Sequence, residues 1–393
     1  MAAGTALIAA TYGLVRLAYG LYLPDVQEEL GFDAVVAGAI SGGASIMYCV
    51  GALAGFLRAS TRARSLVVVS ALAAGTGAVG MALAGSTPVF AVFAVLGSAG
   101  AGTASPALVA LVQRTAPEPT RARSQAVVNA GTGPGLVAAG ILALVLLPDW
   151  RLSWAIAAVV AIGAAAVALL SVRRPEFRGP EGAARATAGT RSAAARLFPP
   201  ASWFRQHARV IGGAILMGAG SAGVWTFTRT LLVDAGADEI VSILAWVALG
   251  IGGSAVIVSA RWTDRTPPPV LWAATAVLIA AASVTVAAGA GTPPLVLLAC
   301  VVFGWAYTAG SGALIAWTAR LDAERAPTGT ALLFVTLILG QAIGAVALGA
   351  IVGAGGHPPA FLAAAGVSAT AALAALTGRH EPTVGTPASP PIA

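Results

Sequence analysis

The chain has 393 residues, of which 58% are hydrophobic and only 9% are charged, and its mean hydropathy is +0.87. A soluble globular protein carries about 25% charged residues. A soluble fold of this length could not hide so much apolar surface, because even large folds leave a sizeable part of their surface exposed. The composition argues against a soluble enzyme and predicts an all-α membrane protein.

Apolar segments of spanning length recur along the whole chain. One helical crossing of the hydrocarbon core takes about 20 apolar residues. Strands are excluded by the segment lengths and by the lack of two-residue alternation. Twelve transmembrane helices are predicted, at residues 4–24, 35–57, 65–86, 88–113, 124–147, 152–172, 209–232, 240–260, 269–290, 293–319, 328–352 and 358–377. The first lacks a basic leading segment and runs past any plausible cleavage site, so we expect it to be retained rather than removed as a signal peptide.

The basic residues are distributed unevenly between the connections. All 22 are arginines. All but Arg16, Arg151 and Arg229 fall in alternate connections that would share one side of the membrane, and the opposite connections carry acidic residues instead. This positive-inside pattern predicts a plasma-membrane protein with both termini in the cytoplasm. A surface for nucleic acid would instead cluster its basic residues on one element, so no nucleic-acid partner is expected.

A polar break divides the predicted helices six and six. We expect an N-terminal half at 1–172, a cytoplasmic linker at 173–208 with a short surface helix near 193–209, a C-terminal half at 209–378 and a disordered tail at 379–393.

The two halves contain an internal repeat. "SPALVALVQR" (105–114) and "SGALIAWTAR" (311–320) agree at Ser, Ala, Leu, Ala and Arg, and each closes the fourth span of its half. Such duplication places a binding site between the halves, near the middle of the membrane.

The sequence carries no pattern for catalysis or metal binding. Cys49 and Cys300 fall within apolar spans, the three histidines show no ligand spacing, and neither a catalytic triad nor a nucleotide-binding motif is present. We therefore expect no enzymatic activity, no cofactor and no metal, and transport that is secondary or facilitated.

Two motifs, one in a loop and one within a helix, are similar to those of a known protein family. "ARWTDRTPPP" after the eighth span contains Asp264 and Arg265, and its first-half copy "GFLRASTRAR" keeps Gly55 and Arg64 but has Ala and Ser in place of the acid and the arginine. "NAGTGPGLVAAG" in the fifth span contains Gly133 and Pro134. Over all twelve spans the chain resembles the major facilitator superfamily of secondary transporters.

The resemblance implies two pseudo-symmetric six-helix halves, a monomer, alternating access, and a small-molecule substrate with a possible co-transported or exchanged ion. It also implies a gating role for the six motif residues Asp264, Arg265, Gly55, Arg64, Gly133 and Pro134. In the fourth span, Leu96 stands where drug antiporters of the family carry an arginine, which argues against proton-coupled drug antiport.

Arg16 is the main candidate site residue. It precedes Pro24 by eight residues, about 12 Å along a helix. A central arginine costs roughly 2.5–3.5 kcal/mol on an insertion scale, so it should face the interior cavity. The deep parts of the spans contain no Asp or Glu, which leaves Asn129, Gln341, tyrosine hydroxyls or helix-end carbonyls as candidate partners, and an anionic cargo as candidate counter-ion. A purely structural role for Arg16 is the alternative.

Other residues are expected near the same pathway. Tyr12 and Tyr19 share a helix face with Arg16. Trp225 and Arg229 lie in the seventh span, and Tyr307 in the tenth.

The sequence favours transport of a small organic anion or metabolite. Multidrug efflux is the alternative, and a sensor or scaffold that binds ligand without moving it is a third interpretation.

Overall fold

The computed structural model describes residues 1–117, 120–171, 199–289 and 291–376, which form helices and no strands. The helices of the N-terminal half are α1 (Ala2–Leu30), α2 (Ala34–Leu83), α3 (Thr87–Thr115), α4 (Arg121–Asn129), α5 (Thr132–Leu146) and α6 (Trp150–Ser171). Those of the C-terminal half are α7 (Ala201–Asp234), α8 (Glu239–Thr263), α9 (Pro268–Ala288), α10 (Pro293–Leu321), α11 (Ala326–Gly355) and α12 (His357–Leu376).

The predicted spans coincide with these helices, which confirms the all-α membrane fold. Ten helical runs in the described part of the chain are long and apolar enough to cross a membrane. One of them, the 50-residue α2, contains the second and third predicted spans and is kinked at Arg62, where φ is −127° and ψ is 34°. The twelfth predicted span matches α12. The helices are therefore consistent with twelve crossings.

The outward faces of the bundle are apolar. Large side chains such as Val159 (71% exposed) and Leu170 (85% exposed) point away from the protein. Water would penalise such a surface, whereas lipid tails are as apolar as the side chains themselves. The fold is that of a multi-pass membrane protein.

Local sequence explains where several helices start and stop. The Asp33 carboxylate accepts a hydrogen bond from the Val36 N–H and begins α2, and Asp238 likewise accepts from Ile240 and begins α8. α1 ends at Gly31, whose φ of +68° is a left-handed conformation that glycine adopts without steric cost.

Two predicted boundaries differ from the structure. The fifth predicted span is interrupted between α4 and α5, at residues 130–131, because Pro134 has no N–H to bond the carbonyl of residue 130. The second half begins earlier than predicted: α7 starts at Ala201, so residues 201–208 of the predicted linker belong to this helix. The rest of that linker (through 198) and the predicted tail lie outside the described residues.

The two membrane sides differ in charge. We call the side that carries Met1 and the arginine-rich connections the basic side, and the opposite side, with Asp25, Asp33, Asp234 and Asp238, the acidic side.

The halves meet mainly through α1 with α7, α2 with α11, and α5 with α8. Glycines allow the close approach. A Cβ at Gly38 would lie 3.0 Å from the Cα of Gly349, and a Cβ at Gly133 would lie 2.9 Å from the carbonyl oxygen of Gly250. The Gly38–Gly349 contact lies near the acidic ends of α2 and α11, so the halves are in close contact on the acidic side.

Candidate functional site

Arg16 lies on an unusual turn of α1. Residues Ala9–Leu17 form a π-helix, and the N–H of Ala18 bonds to the carbonyl of Gly13, five residues earlier. π-helical turns are rare and are frequent at functional sites. Gly13 packs directly against the backbone of Gly135, so α5 approaches this turn closely.

The Arg16 guanidinium contacts only neutral groups. Its Nη2 donates to the amide oxygen of Gln341 at 3.1 Å and, more weakly, to Ser45 Oγ at 3.4 Å. Its Cζ lies 4.7 Å from the centre of the Tyr48 ring, within the range of a cation–π contact. The buried Nε has no hydrogen-bond partner among the described residues. The positive charge is thus held by dipoles and one aromatic ring.

Gln341 connects Arg16 to the C-terminal half. While its oxygen accepts from Arg16, its Nε2 donates to the Tyr307 hydroxyl at 3.0 Å. Since α11 and α10 carry these two residues, the chain of hydrogen bonds runs from one half into the other. This arrangement confirms Gln341 as one of the partners expected for Arg16.

An aromatic cluster completes the C-terminal side. The Trp225 ring makes edge-to-face contacts with Tyr307 at 5.3 Å and with Phe303 at 5.4 Å between ring centres. Trp225 is 8% exposed, and its indole N–H has no hydrogen-bond partner among the described residues. An indole N–H is a donor only, and a buried tryptophan usually finds an acceptor for it.

Arg16 and Trp225 line one cavity between the halves. Its volume is about 40 Å³, enough for only a few water molecules. Polar groups come from Arg16, Ser41, Ser45, Ser98, Thr226 and Gln341. Apolar groups come from Val15, Leu17, Tyr19, Gly20, Ala44, Met81, Ala94, Ala222 and Trp225. Arg16 is the one charged side chain in this lining.

Arg229 occupies a different place from Arg16. It is 2% exposed and forms an ion pair with Asp25 of α1, while also donating to the Leu21 carbonyl at 2.6 Å and to Ser242 Oγ at 3.2 Å. Glu239 lies farther away, at 3.9 Å. The predicted pathway residue is therefore a buried bridge between the halves and does not line the Arg16 cavity.

A vestibule of about 670 Å³ lies on the acidic side of this bridge. Asp25 and Arg229 line it together with Glu28, Asp234 and His357, and the His357 Nδ1 is 3.4 Å from the Asp234 carboxylate. Asp25 follows Gly20 by five residues, about 7.5 Å along α1. The ion pair therefore separates the vestibule from the Arg16 cavity.

The remaining predicted binding residues divide into two groups. Tyr19 lines the cavity, with its hydroxyl donating to the Ala37 carbonyl at 3.0 Å, and Tyr12 shares a 2.8 Å hydrogen bond with the Tyr48 hydroxyl. Asn129 is exposed at the end of α4 and does not line the cavity. This placement follows from how the fifth span aligns with α1. Gly131, two residues after Asn129, packs beside Thr5, and Thr5 lies eleven residues from Arg16 toward the basic side.

The predicted gating residues lie on helix contacts and loop ends. Gly55 packs against Pro106, Gly133 packs against Ser254 of the other half, and Arg64 donates to the Leu169 carbonyl at 3.1 Å. Asp264 and Arg265 are exposed on the basic side, where Asp264 ends α8.

No salt bridge of Asp264 occurs among the described residues. Pro134 is exposed on the outside of α5, next to the interruption that it causes.

Three residues near Arg16 were not predicted from the sequence. Ser41, Ser45 and Tyr48 lie at i, i+4 and i+7 on α2, a spacing that places them on one helix face. Ser41 shares a 3.0 Å hydrogen bond with Thr226 of α7, so it also links the halves. A search for polar residues at helical spacing in the second span would have found them.

The described residues contain no group of three His, Cys, Asp or Glu side chains that could hold a metal ion.

Comparison with solved structures identifies the fold. The chain is similar to a D-xylose-proton symporter, with 16% identity and a TM-score of 0.74 over 95% of this chain and 96% of that one. It is also similar to the nucleoside transporter NupG, with 15% identity and a TM-score of 0.73 over 95% of this chain and 96% of that one. A third similar structure is a mutant of the peptide transporter POT in complex with alafosfalin, with 14% identity and a TM-score of 0.72 over 95% of this chain and 92% of that one. At these identities the likeness concerns the fold alone. The fold and its apolar outer faces define a multi-pass membrane protein.

The family follows from the sequence itself. A model of the Major Facilitator Superfamily matches residues 5–336, whereas no curated protein sequence matches the chain. The chain belongs to the major facilitator superfamily. Members of this family bind small molecules and carry them across membranes by secondary transport.

Proposed function

We propose that this protein transports a small organic anion by alternating access, with Arg16 as the residue that binds the anionic group. It would act as a monomer in the plasma membrane, with both termini in the cytoplasm. Rocking of the two halves would expose the cavity alternately to each side.

One observation carries this proposal: the Arg16 charge lies between the halves and meets only neutral partners. A buried cation without a counter-ion is costly, and a guanidinium pairs especially well with planar anions. An anionic cargo would supply the missing charge whenever it occupies the cavity. Asp25 does not serve this purpose because it is already paired with Arg229.

The proposal is tested by uptake into liposomes that contain the purified protein. Arg16→Gln removes the charge, and Arg16→Lys keeps it but loses the fork of N–H groups. Labelled organic anions should enter wild-type liposomes, enter those with Arg16→Lys more slowly, and not enter those with Arg16→Gln. Arg205→Gln is the matched control, since Arg205 is exposed at the start of α7, outside the cavity.

Efflux of lipophilic compounds is the second candidate. It is favoured by the apolar part of the cavity lining and by Gly133 at the contact of α5 with α8. This candidate predicts transport of lipophilic cations that Arg16→Gln leaves intact, whereas the anion proposal predicts no such transport. Ligand binding without any flux in liposomes would indicate a sensor and contradict both.

A further inference from the structure

The unpartnered hydrogen-bond donors of the central cavity indicate which anion it suits. The geometry points to a small singly charged carboxylate, held by Arg16 from the N-terminal half and by the indole N–H of Trp225 from the C-terminal half. This inference rests on the proposed function, because it names the class of anion within it.

Two residues of the described lining carry a buried polar atom without a hydrogen-bond partner, and both atoms are donors. They are the Arg16 Nε and the Trp225 Nε1, and both are buried. Buried N–H groups almost always have an acceptor, so each unpaired one calls for an explanation. A ligand with two acceptor oxygens would satisfy both groups.

The other polar groups of the lining already have partners. Gln341 uses its oxygen for Arg16 and its nitrogen for Tyr307. Ser98 donates to the Ala94 carbonyl, and Ser41 and Thr226 bond each other. No unsatisfied acceptor of the described lining remains for a cationic head group or for a ligand rich in donors. The lining therefore favours a ligand that presents hydrogen-bond acceptors.

The charge balance favours a single negative charge. Arg16 is the one charged residue of the lining, so a monoanion would leave the cavity neutral. A dicarboxylate or a doubly charged phosphate would bring one uncompensated charge into a poorly solvated site, at high cost.

The shape of the donors favours a carboxylate. The Nε–H and a terminal N–H of a guanidinium lie along one edge and match the two oxygens of a planar carboxylate. The apolar neighbours Val15, Met81, Ala94 and Ala222 would then contact a short apolar remainder. Because Arg16 and Trp225 belong to different halves, a bound carboxylate would join the halves.

The test measures affinities of the purified full-length protein by calorimetry for lactate, succinate, inorganic phosphate and the lipophilic cation tetraphenylphosphonium. Trp225→Phe keeps the aromatic ring but removes the N–H. Trp154→Phe is the matched control: Trp154 is fully buried and its indole N–H is also unpartnered among the described residues, but it does not line the cavity.

We expect lactate to bind wild type more tightly than succinate or phosphate, and Trp225→Phe to weaken lactate binding about tenfold or more, as befits a hydrogen bond to a charged group. Trp154→Phe should leave the lactate affinity unchanged. Equal lactate affinities of Trp225→Phe and wild type would overturn the role assigned to the indole.

Tighter binding of succinate or phosphate, lost in Arg16→Gln, would overturn the monocarboxylate inference but leave the anion proposal standing. Binding of tetraphenylphosphonium alone would overturn both. The wild-type selectivity series needs no variant, so the inference remains testable even if Trp225→Phe fails to fold.

Discussion

The buried Arg229 of α7 and the partly exposed Asp25 of α1 form an ion pair that joins the two halves on the acidic side of the central cavity. The arginine is 2% exposed, and the Leu21 carbonyl and Ser242 Oγ occupy further N–H groups. Under the alternating access proposed above, this pair would separate when the acidic side opens.

The first prediction concerns this ion pair. Asp25→Asn should lower the free energy of unfolding by about 3–5 kcal/mol, because it leaves the Arg229 charge buried without its partner. The halves should also open more readily on the acidic side, which a higher labelling rate of a cysteine placed in the vestibule would report. Replacing both residues by leucine should restore most of the lost stability.

Arg151→Gln provides the control for this measurement. Arg151 pairs with Glu29 at 2.7 Å on the same side, but both residues belong to the N-terminal half and are partly exposed. Exposed pairs contribute about 0–1 kcal/mol, so stability and labelling should change little. If Asp25→Asn labels at the wild-type rate, the pair does not hold the acidic side closed.

The second prediction tests the charge of the central cavity. Gln341→Glu would place a carboxylate where the amide oxygen now accepts from Arg16 at 3.1 Å. The new ion pair would neutralise Arg16 and repel an incoming anion, so anion binding should be lost while the protein remains folded. Binding of organic anions by calorimetry and the melting temperature would be measured together.

Gln341→Met separates the charge effect from the loss of the hydrogen bonds. Methionine is similar in length but is neutral, and it leaves the Arg16 charge in place. Weakened but measurable anion binding is expected. Equal anion binding by Gln341→Glu and wild type would mean that Arg16 is not the anion-binding group.

The hydropathy pattern predicted the fold well because each crossing depends on local composition alone. The division into two halves is a prediction from the polar break between the sixth and seventh spans. The central position of Arg16 was also predictable, because the distance from Pro24 fixes its depth in α1.

Pairings between distant helices were not predictable in the same way. Asp25 and Arg229 are 204 positions apart, and their contact depends on how α1 crosses α7. Asn129 was expected near Arg16, but the interruption of the fifth span leaves it exposed on α4. The spacing of Ser41, Ser45 and Tyr48 marks one polar face of α2, but the sequence does not show which helix that face contacts.

The third prediction concerns the crossing of α1 and α7. A Cβ at Gly20 would overlap the carbonyl oxygen of Trp225 and would lie 2.6 Å from Cη2 of Trp246. Gly20→Ala should therefore destabilise the protein by about 1–3 kcal/mol, as overpacking does. Gly20→Val should lose transport altogether, because it separates Arg16 and Trp225 across the cavity.

Gly163→Ala is the matched control, since a Cβ at Gly163 of α6 would meet nothing within 4 Å. This change should stabilise the helix by up to about 1 kcal/mol. Melting temperatures in detergent and uptake in liposomes would check both variants. An unchanged melting temperature for Gly20→Ala would show that the two helices can move apart at little cost.

The fourth prediction tests the loop motif at the end of α8. Asp264 is exposed on the basic side, so Asp264→Asn should change the free energy of unfolding by no more than about 0.5 kcal/mol. If this loop helps to close the basic side during the transport cycle, uptake should nevertheless fall severalfold while the ligand affinity stays the same. Glu324→Gln, another exposed acid on the basic side, should transport at the wild-type rate. Uptake at the wild-type rate by Asp264→Asn would mean that the loop serves only to set the membrane orientation. Closure of the basic side would then depend on the helix contacts.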